Sequence, residues 1–207
     1  MTNSSRRDFF DIRHSVIPSS FVIRHSPFSV KRAFTLIELI IVIAIIIVLA
    51  GLILSTVGYV QKKGARSRTE TEIAAMSAAL ESYKADNGIY PRNSATDNLD
   101  ARASGDPTTY QAASLYLYDS LFGATNGSRT PNSGARSYFV FKPNMLSPAD
   151  QTQNVQYIRD PFGNSYGYST IQAATGTSTV GYNPTFDLWS TSGLTTGTDS
   201  TQWIKNW

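Results

Sequence analysis

The feature that most constrains this chain is an apolar run of twenty-one residues, Phe34 to Leu54, reading FTLIELIIVIAIIIVLAGLIL. As a helix rising about 1.5 Å per residue it covers ~31 Å, the thickness of one hydrocarbon core. β-Branched residues are frequent in it, yet a backbone in lipid must satisfy its own hydrogen bonds, so helix wins over strand. No second run of this kind follows, which predicts a single span. A cleavable secretory signal has a shorter apolar region and an A-x-A-like site after it. Here Ser55-Thr56-Val57-Gly58-Tyr59 follows, a poor site. A plain signal anchor fits the run but leaves Glu38 unexplained.

Glu38 sits near the edge of the span, where an ionised carboxylate is costly to insert and usually has a partner and a role. A cut just before Phe34 would place a new α-ammonium four residues from it. Catalytic alternatives are thin. The chain has no cysteine, and its two histidines, His14 and His25, both precede the span. Neither a disulfide framework, a cysteine metal site nor histidine-centred catalysis in the body of the chain is available. No phosphate-binding glycine loop or persuasive carboxylate pair occurs either. The expectation is a protein that is not an enzyme.

The segment Lys31-Arg32-Ala33-Phe34-Thr35-Leu36-Ile37-Glu38-Leu39 resembles the cleavage and N-methylation motif of type IV prepilins and type II secretion pseudopilins. The resemblance implies cleavage between Ala33 and Phe34, N-methylation of Phe34, and an assembly role for Glu38 in pairing with an N-terminal amine. One departure is Ala33, where the family usually has Gly. The same resemblance puts the leader in the cytoplasm, the span in the bacterial inner membrane and the C-terminal body in the periplasm. Charge does not independently support that orientation. Lys31 and Arg32 precede the span, but Lys62, Lys63, Arg66 and Arg68 follow it, so the positive-inside count is ambiguous or points the other way. Six Lys/Arg and two Asp fall in residues 1–33, and twelve Lys/Arg and thirteen Asp/Glu in the rest. The basic excess therefore belongs to the leader, and nucleic acid is not favoured as a partner.

Beyond the span, Ile73, Met76, Leu80 and Tyr83 recur at spacings of three and four, an amphipathic continuation of the same helix. Asp86-Asn87-Gly88 predicts its end, with Gly88 as the left-handed terminator. The expected division is a leader over 1–33, a transmembrane helix half over 34–58, an amphipathic half over 59–86 and a globular head over 87–207. Residues 92–136 are polar and are placed only coarsely, with Ala112 to Phe122 as a second helix or an irregular packed loop. Strand patterns lie at Tyr138–Phe141, Val155–Ile158, Tyr166–Tyr168 and Thr185–Trp189, with a turn at Asp160-Pro161-Phe162-Gly163-Asn164. The fold class read from this is α+β: a long N-terminal helix packed through its Ile73/Leu80 stripe on a small antiparallel sheet, type IV pilin-like.

LESYKADNGIYP at Leu80 to Pro91 and DPFGNSYGY at Asp160 to Tyr168 are similar to segments of the major pseudopilin of type II secretion. That resemblance implies a structural subunit of a periplasmic pseudopilus. Its partners would be copies of itself, the prepilin peptidase, an inner-membrane assembly platform, minor pseudopilins and membrane lipid. A surface type IV pilus or DNA-uptake pilin is the alternative, and a membrane-anchored extracytoplasmic binding domain a second one. The resemblance also implies a calcium-binding C-terminal loop. Here the loop keeps only Asp187 and Asp199 as carboxylates, and Asp187 reads as a solvent-facing strand residue, so the expectation is no cofactor, or a weak calcium site at best. Phe10–Ser15 and Phe21–Ser26 form a near repeat in the leader, which, with no Met between Met1 and the span, suggests a true translation start near Val30.

Overall fold

A computed structural model describes residues 33–207, apart from the side chain of Ser55. The leader, its near repeat, Lys31, Arg32 and the start near Val30 lie outside the described residues. The chain divides into two units, Met1–Val48 and Leu49–Trp207.

In the first unit Ala33, Phe34 and Thr35 precede the helix, and α1 (Leu36–Asn87) begins. The helix was expected to start at about Phe34. It starts two residues later because Thr35 caps it, and Phe34 stands outside at 86% exposure. From Leu36 to Val48 all side chains are exposed. A helix this apolar with no covered face is not a soluble protein's core helix, and its surface needs lipid or other helices.

The second unit carries the rest of α1 and the head. Thr69, Ile73, Met76 and Leu80 fall on one face and are all buried at 4% exposure or less. The helix ends where Gly88, at φ 79°, returns its amide to the Lys84 carbonyl at 2.8 Å. The α1 stripe shares one core with Leu117, Tyr118 and Leu121 of α3 (Gln111–Phe122) and with Ile158, Tyr166, Tyr168, Phe186, Leu188 and Ile204. The segment from Ala112 to Phe122 is therefore helix rather than loop. Two one-turn helices, α2 (Ser94–Asp97) and α4 (Ile171–Thr175), are held together by the Thr170 hydroxyl, which reaches Thr96 Oγ1 at 2.8 Å and Asp97 Oδ1 at 2.7 Å.

The strands form two antiparallel sheets rather than one. β1 (Leu146–Ser147) pairs with β2 (Tyr157–Ile158), and β4 (Asp187–Ser190) lies between β3 (Gly167–Ser169) and β5 (Ile204–Lys205). Tyr138–Phe141 is not a strand. The amides of Tyr138 and Phe139 both donate to the Leu121 carbonyl, at 2.7 and 3.1 Å, which spends on the end of α3 the donors a ladder would use. Alternation survives there only in burial, with Phe141 inside and Val140 outside. Opposite Trp189 stands Gly167, where an added Cβ would come within 2.2 Å of the indole. Trp189 and Trp203 stack at 6.2 Å, and with Tyr110 and Ala101 they make a second buried cluster beneath the C-terminal residues.

Candidate processing and assembly site

The expected site residues Ala33, Phe34 and Glu38 lie together at the start of α1, and the residue that organises them is Thr35. Its hydroxyl accepts from the Glu38 amide at 3.2 Å, while its own amide and hydroxyl each donate to Glu38 Oε2 at 2.8 Å. This is a reciprocal capping box, in which Ser/Thr before the helix and Glu three residues on satisfy each other's orphan groups. In the sequence Glu38 has a partner only after cleavage. In the uncut chain, however, Thr35 already serves it. The T-x-x-E pattern at Thr35 to Glu38 is the signal that reveals this from sequence. The helix begins only at Leu36, so the Ala33–Phe34 bond lies in non-helical, exposed backbone, the condition a peptidase requires of a scissile bond. The arrangement offers a cleavable bond and, one helical turn in, a carboxylate for the amine that cleavage would release.

The two weak candidates for calcium, Asp187 and Asp199, are each engaged with backbone amides. Asp187, expected to face solvent, is 1% exposed, and its two oxygens accept from the amides of Tyr182 and Asn183, each at 2.8 Å. It is spent on folding the preceding turn back onto β4. Burial pushes its carboxyl above the usual carboxylate range, against the pull of those two amides. Asp199 caps the short 3-10 turn Ser200–Gln202 through the Thr201 amide at 2.9 Å, a bond that holds its carboxyl below the usual range. No group of three His, Cys, Asp or Glu side chains gathers at metal-binding distance among the described residues. Calcium prefers six to eight oxygens, several of them carboxylates, and this loop does not fit it.

The Ile73/Leu80 stripe reads from sequence as what packs the helix on the head, but the polar contacts between the two do not. Tyr166 donates to Glu72 Oε2 at 2.8 Å, and Arg68 Nε holds Glu72 Oε1 at 2.7 Å. On the turn before β3, Asp160 Oδ1 accepts from the amides of Phe162 and Asn164 at 3.0 and 2.8 Å, while Oδ2 takes the Ser190 hydroxyl.

The capped apolar helix and the residues before it are similar to the N-terminal segment of prepilins over a short stretch. Residues 29–54 match the prokaryotic N-terminal methylation motif. Over 61 residues of its N-terminal part the chain is 38% identical to the type II secretion system core protein G of Klebsiella pneumoniae and to that of Pectobacterium carotovorum. It is 39% identical over the same length to that of Escherichia coli K12. The aligned stretch is 30% of this chain and covers 44%, 39% and 42% of those three relatives. The chain thus spans less than half the length of the curated relatives it matches. No solved structure matches it.

Proposed function

We propose that this chain is a structural, non-enzymatic subunit of a pseudopilus serving type II secretion. It is made as a single-pass inner-membrane precursor with its head in the periplasm, cut between Ala33 and Phe34, and N-methylated on Phe34. The observation that carries this reading is the juxtaposition at the start of α1: an exposed, non-helical Ala33–Phe34 bond, and Glu38 one turn into a helix whose apolar surface is uncovered. The likeness to core protein G favours the secretion reading over a surface pilus or an anchored binding domain.

Each part has a physical task. Hydrolysis of the Ala33–Phe34 bond frees an α-ammonium, which methylation keeps cationic. That cation meets the Glu38 carboxylate, of this subunit or of its neighbour, and offsets the cost of holding a carboxylate among apolar helices. Apolar residues 34–54 keep the subunit in the membrane and then pack against other copies. The partners are the prepilin peptidase, an inner-membrane assembly platform, minor pseudopilins and further copies of the chain.

The test is Glu38→Ala expressed with a matching assembly system. Membrane insertion stays intact and filament yield collapses if Glu38 registers subunits. Filaments at normal yield from Glu38→Ala would overturn the role.

A further inference from the structure

Filament assembly leaves the cationic cluster after the span unexplained. Arg66 and Arg68 are paired with Glu70 and Glu72 at 3.3 and 2.7 Å, whereas Lys62 and Lys63 have no ion pair among the described residues. Lys62 and Arg66 are four apart, one above the other on the same side of α1. Together with Phe162, Ser192, Leu194 and Gln202 they line an open cavity of about 430 Å³ against the C-terminal loop. The Gln202 carbonyl fixes its polar wall, accepting from Arg66 Nη1 at 3.1 Å and from the Ser192 hydroxyl at 2.8 Å. Phe162 and the part-exposed Leu194 supply apolar wall beside the cations.

The cavity also lies at a telling height. Lys62 is eight residues beyond Leu54, or ~12 Å along the helix. A headgroup layer adds roughly 5–8 Å on each side of the hydrocarbon core. Side chains on a helix lean toward its N-terminus, here toward the bilayer, and lysine extends its stem to place its ammonium in the polar layer. Lys62 thus reaches down toward headgroup level, and Arg66, one turn further out and held by the Gln202 carbonyl, closes the top of the cavity over a phosphate drawn into it.

We propose that this cavity binds the phosphate of an anionic phospholipid, with Lys62 and Arg66 on the phosphate oxygens and Phe162 and Leu194 against the lipid's carbon atoms. A zwitterionic headgroup brings its own cation to the same two charges and is disfavoured. The site sets the depth of the subunit in the membrane, and the lipid has to be given up when the subunit leaves for a filament. The inference rests on the membrane span alone, so its failure leaves the assembly reading standing, and the converse holds too.

Native mass spectrometry of the full chain tests it, with the protein released from micelles doped with equal phosphatidylglycerol and phosphatidylcholine. The chain retains phosphatidylglycerol preferentially, Lys62→Gln/Arg66→Gln lowers that adduct about tenfold, and Lys63→Gln, off the cavity, leaves it unchanged. Lys62→Gln alone, which removes no ion pair, lowers it in the same direction and decides the matter if the double variant fails to fold. Inorganic phosphate at millimolar concentration does not displace the lipid. Equal retention of the two lipids, an adduct unchanged in Lys62→Gln and the double variant, or full displacement by inorganic phosphate would each overturn the proposal.

Discussion

Tyr166 and Glu72 form a part-buried hydrogen bond that ties the head to its helix. The phenol donates across 2.8 Å from a side chain with no solvent exposure, and Arg68 holds the other carboxylate oxygen. Burial, and then the neighbouring Glu72 charge, push the Tyr166 hydroxyl far above its ordinary pKa, so it remains a donor at every physiological pH. A hydrogen bond to a charged acceptor contributes about 1.5–3 kcal/mol. Tyr166→Phe therefore lowers the unfolding free energy by roughly 2 kcal/mol. All three tryptophans lie in the head, so denaturant unfolding of the full chain in micelles, followed by tryptophan fluorescence, reads this loss directly. A change below about 0.5 kcal/mol, within the usual range for an inconsequential surface substitution, would show that the bond does not hold the head.

Asp160 makes stability depend on pH. Its carboxyl is 2% exposed and is pushed above the usual carboxylate range by burial, only partly countered by the Ser190 hydroxyl and the turn amides. With its folded pKa raised, the native state holds a proton that the unfolded chain has released. Its stabilising contribution is complete below the unfolded value, about 3.9, and is lost as pH rises through the folded one. Asp160→Asn keeps the Oδ1 acceptor for the turn amides and removes the charge, its Nδ2 donating to the Ser190 hydroxyl where the carboxylate accepts from it. The wild type therefore loses stability relative to Asp160→Asn as pH rises from about 4. Asp160→Ala, which strands two amides and a hydroxyl, costs about 2–4 kcal/mol. Parallel melting curves of wild type and Asp160→Asn across pH 4–7 would contradict the assignment.

Gly167 is required by the indole it faces. An added methyl group would lie 2.2 Å from the Trp189 ring, and Trp189 is pinned between Tyr110 and Trp203 at 5.0 and 6.2 Å. Overpacking of this kind costs about 1–3 kcal/mol, sometimes more. Gly167→Ala lowers the melting temperature, and replacing Trp189 by Phe in the same chain recovers part of the loss. An unchanged melt for Gly167→Ala would mean that the strand shifts freely.

How much of this was legible in the sequence depended on whether a signal was local. The span, the Ile73/Leu80 stripe and the stop at Gly88 are periodicity and turn chemistry within one segment, and each could be read directly. Tyr138–Phe141 misled because its alternation reflects burial, while the carbonyl that captures its amides belongs to Leu121, far back along the chain. Asp187 misled for a related reason: a carboxylate facing solvent and one buried on two loop amides look alike in sequence. The Thr35–Glu38 box is local and legible as T-x-x-E, but it is embedded in apolar residues whose own pattern is that of a membrane span. Contacts such as Tyr166–Glu72 join residues ninety-four apart, and nothing in either segment announces the other.

Calcium leaves the head unaffected if Asp187 and Asp199 are committed as described. Ligand linkage raises stability by about 2.7 kcal/mol at a hundredfold excess over the dissociation constant. Melts of the full chain in micelles with excess calcium and with chelator therefore coincide. A substantial rise with micromolar calcium would show that backbone carbonyls and hydroxyls complete a site around these two carboxylates.

The central claim is that this chain is processed as a prepilin. Intact-mass measurement of the protein extracted from membranes of a host with an active prepilin peptidase tests it most directly. The expected result is one species beginning at Phe34 and carrying a single additional methyl group on its amine. An uncut chain in that host, or a mature terminus near Gly58, would contradict it.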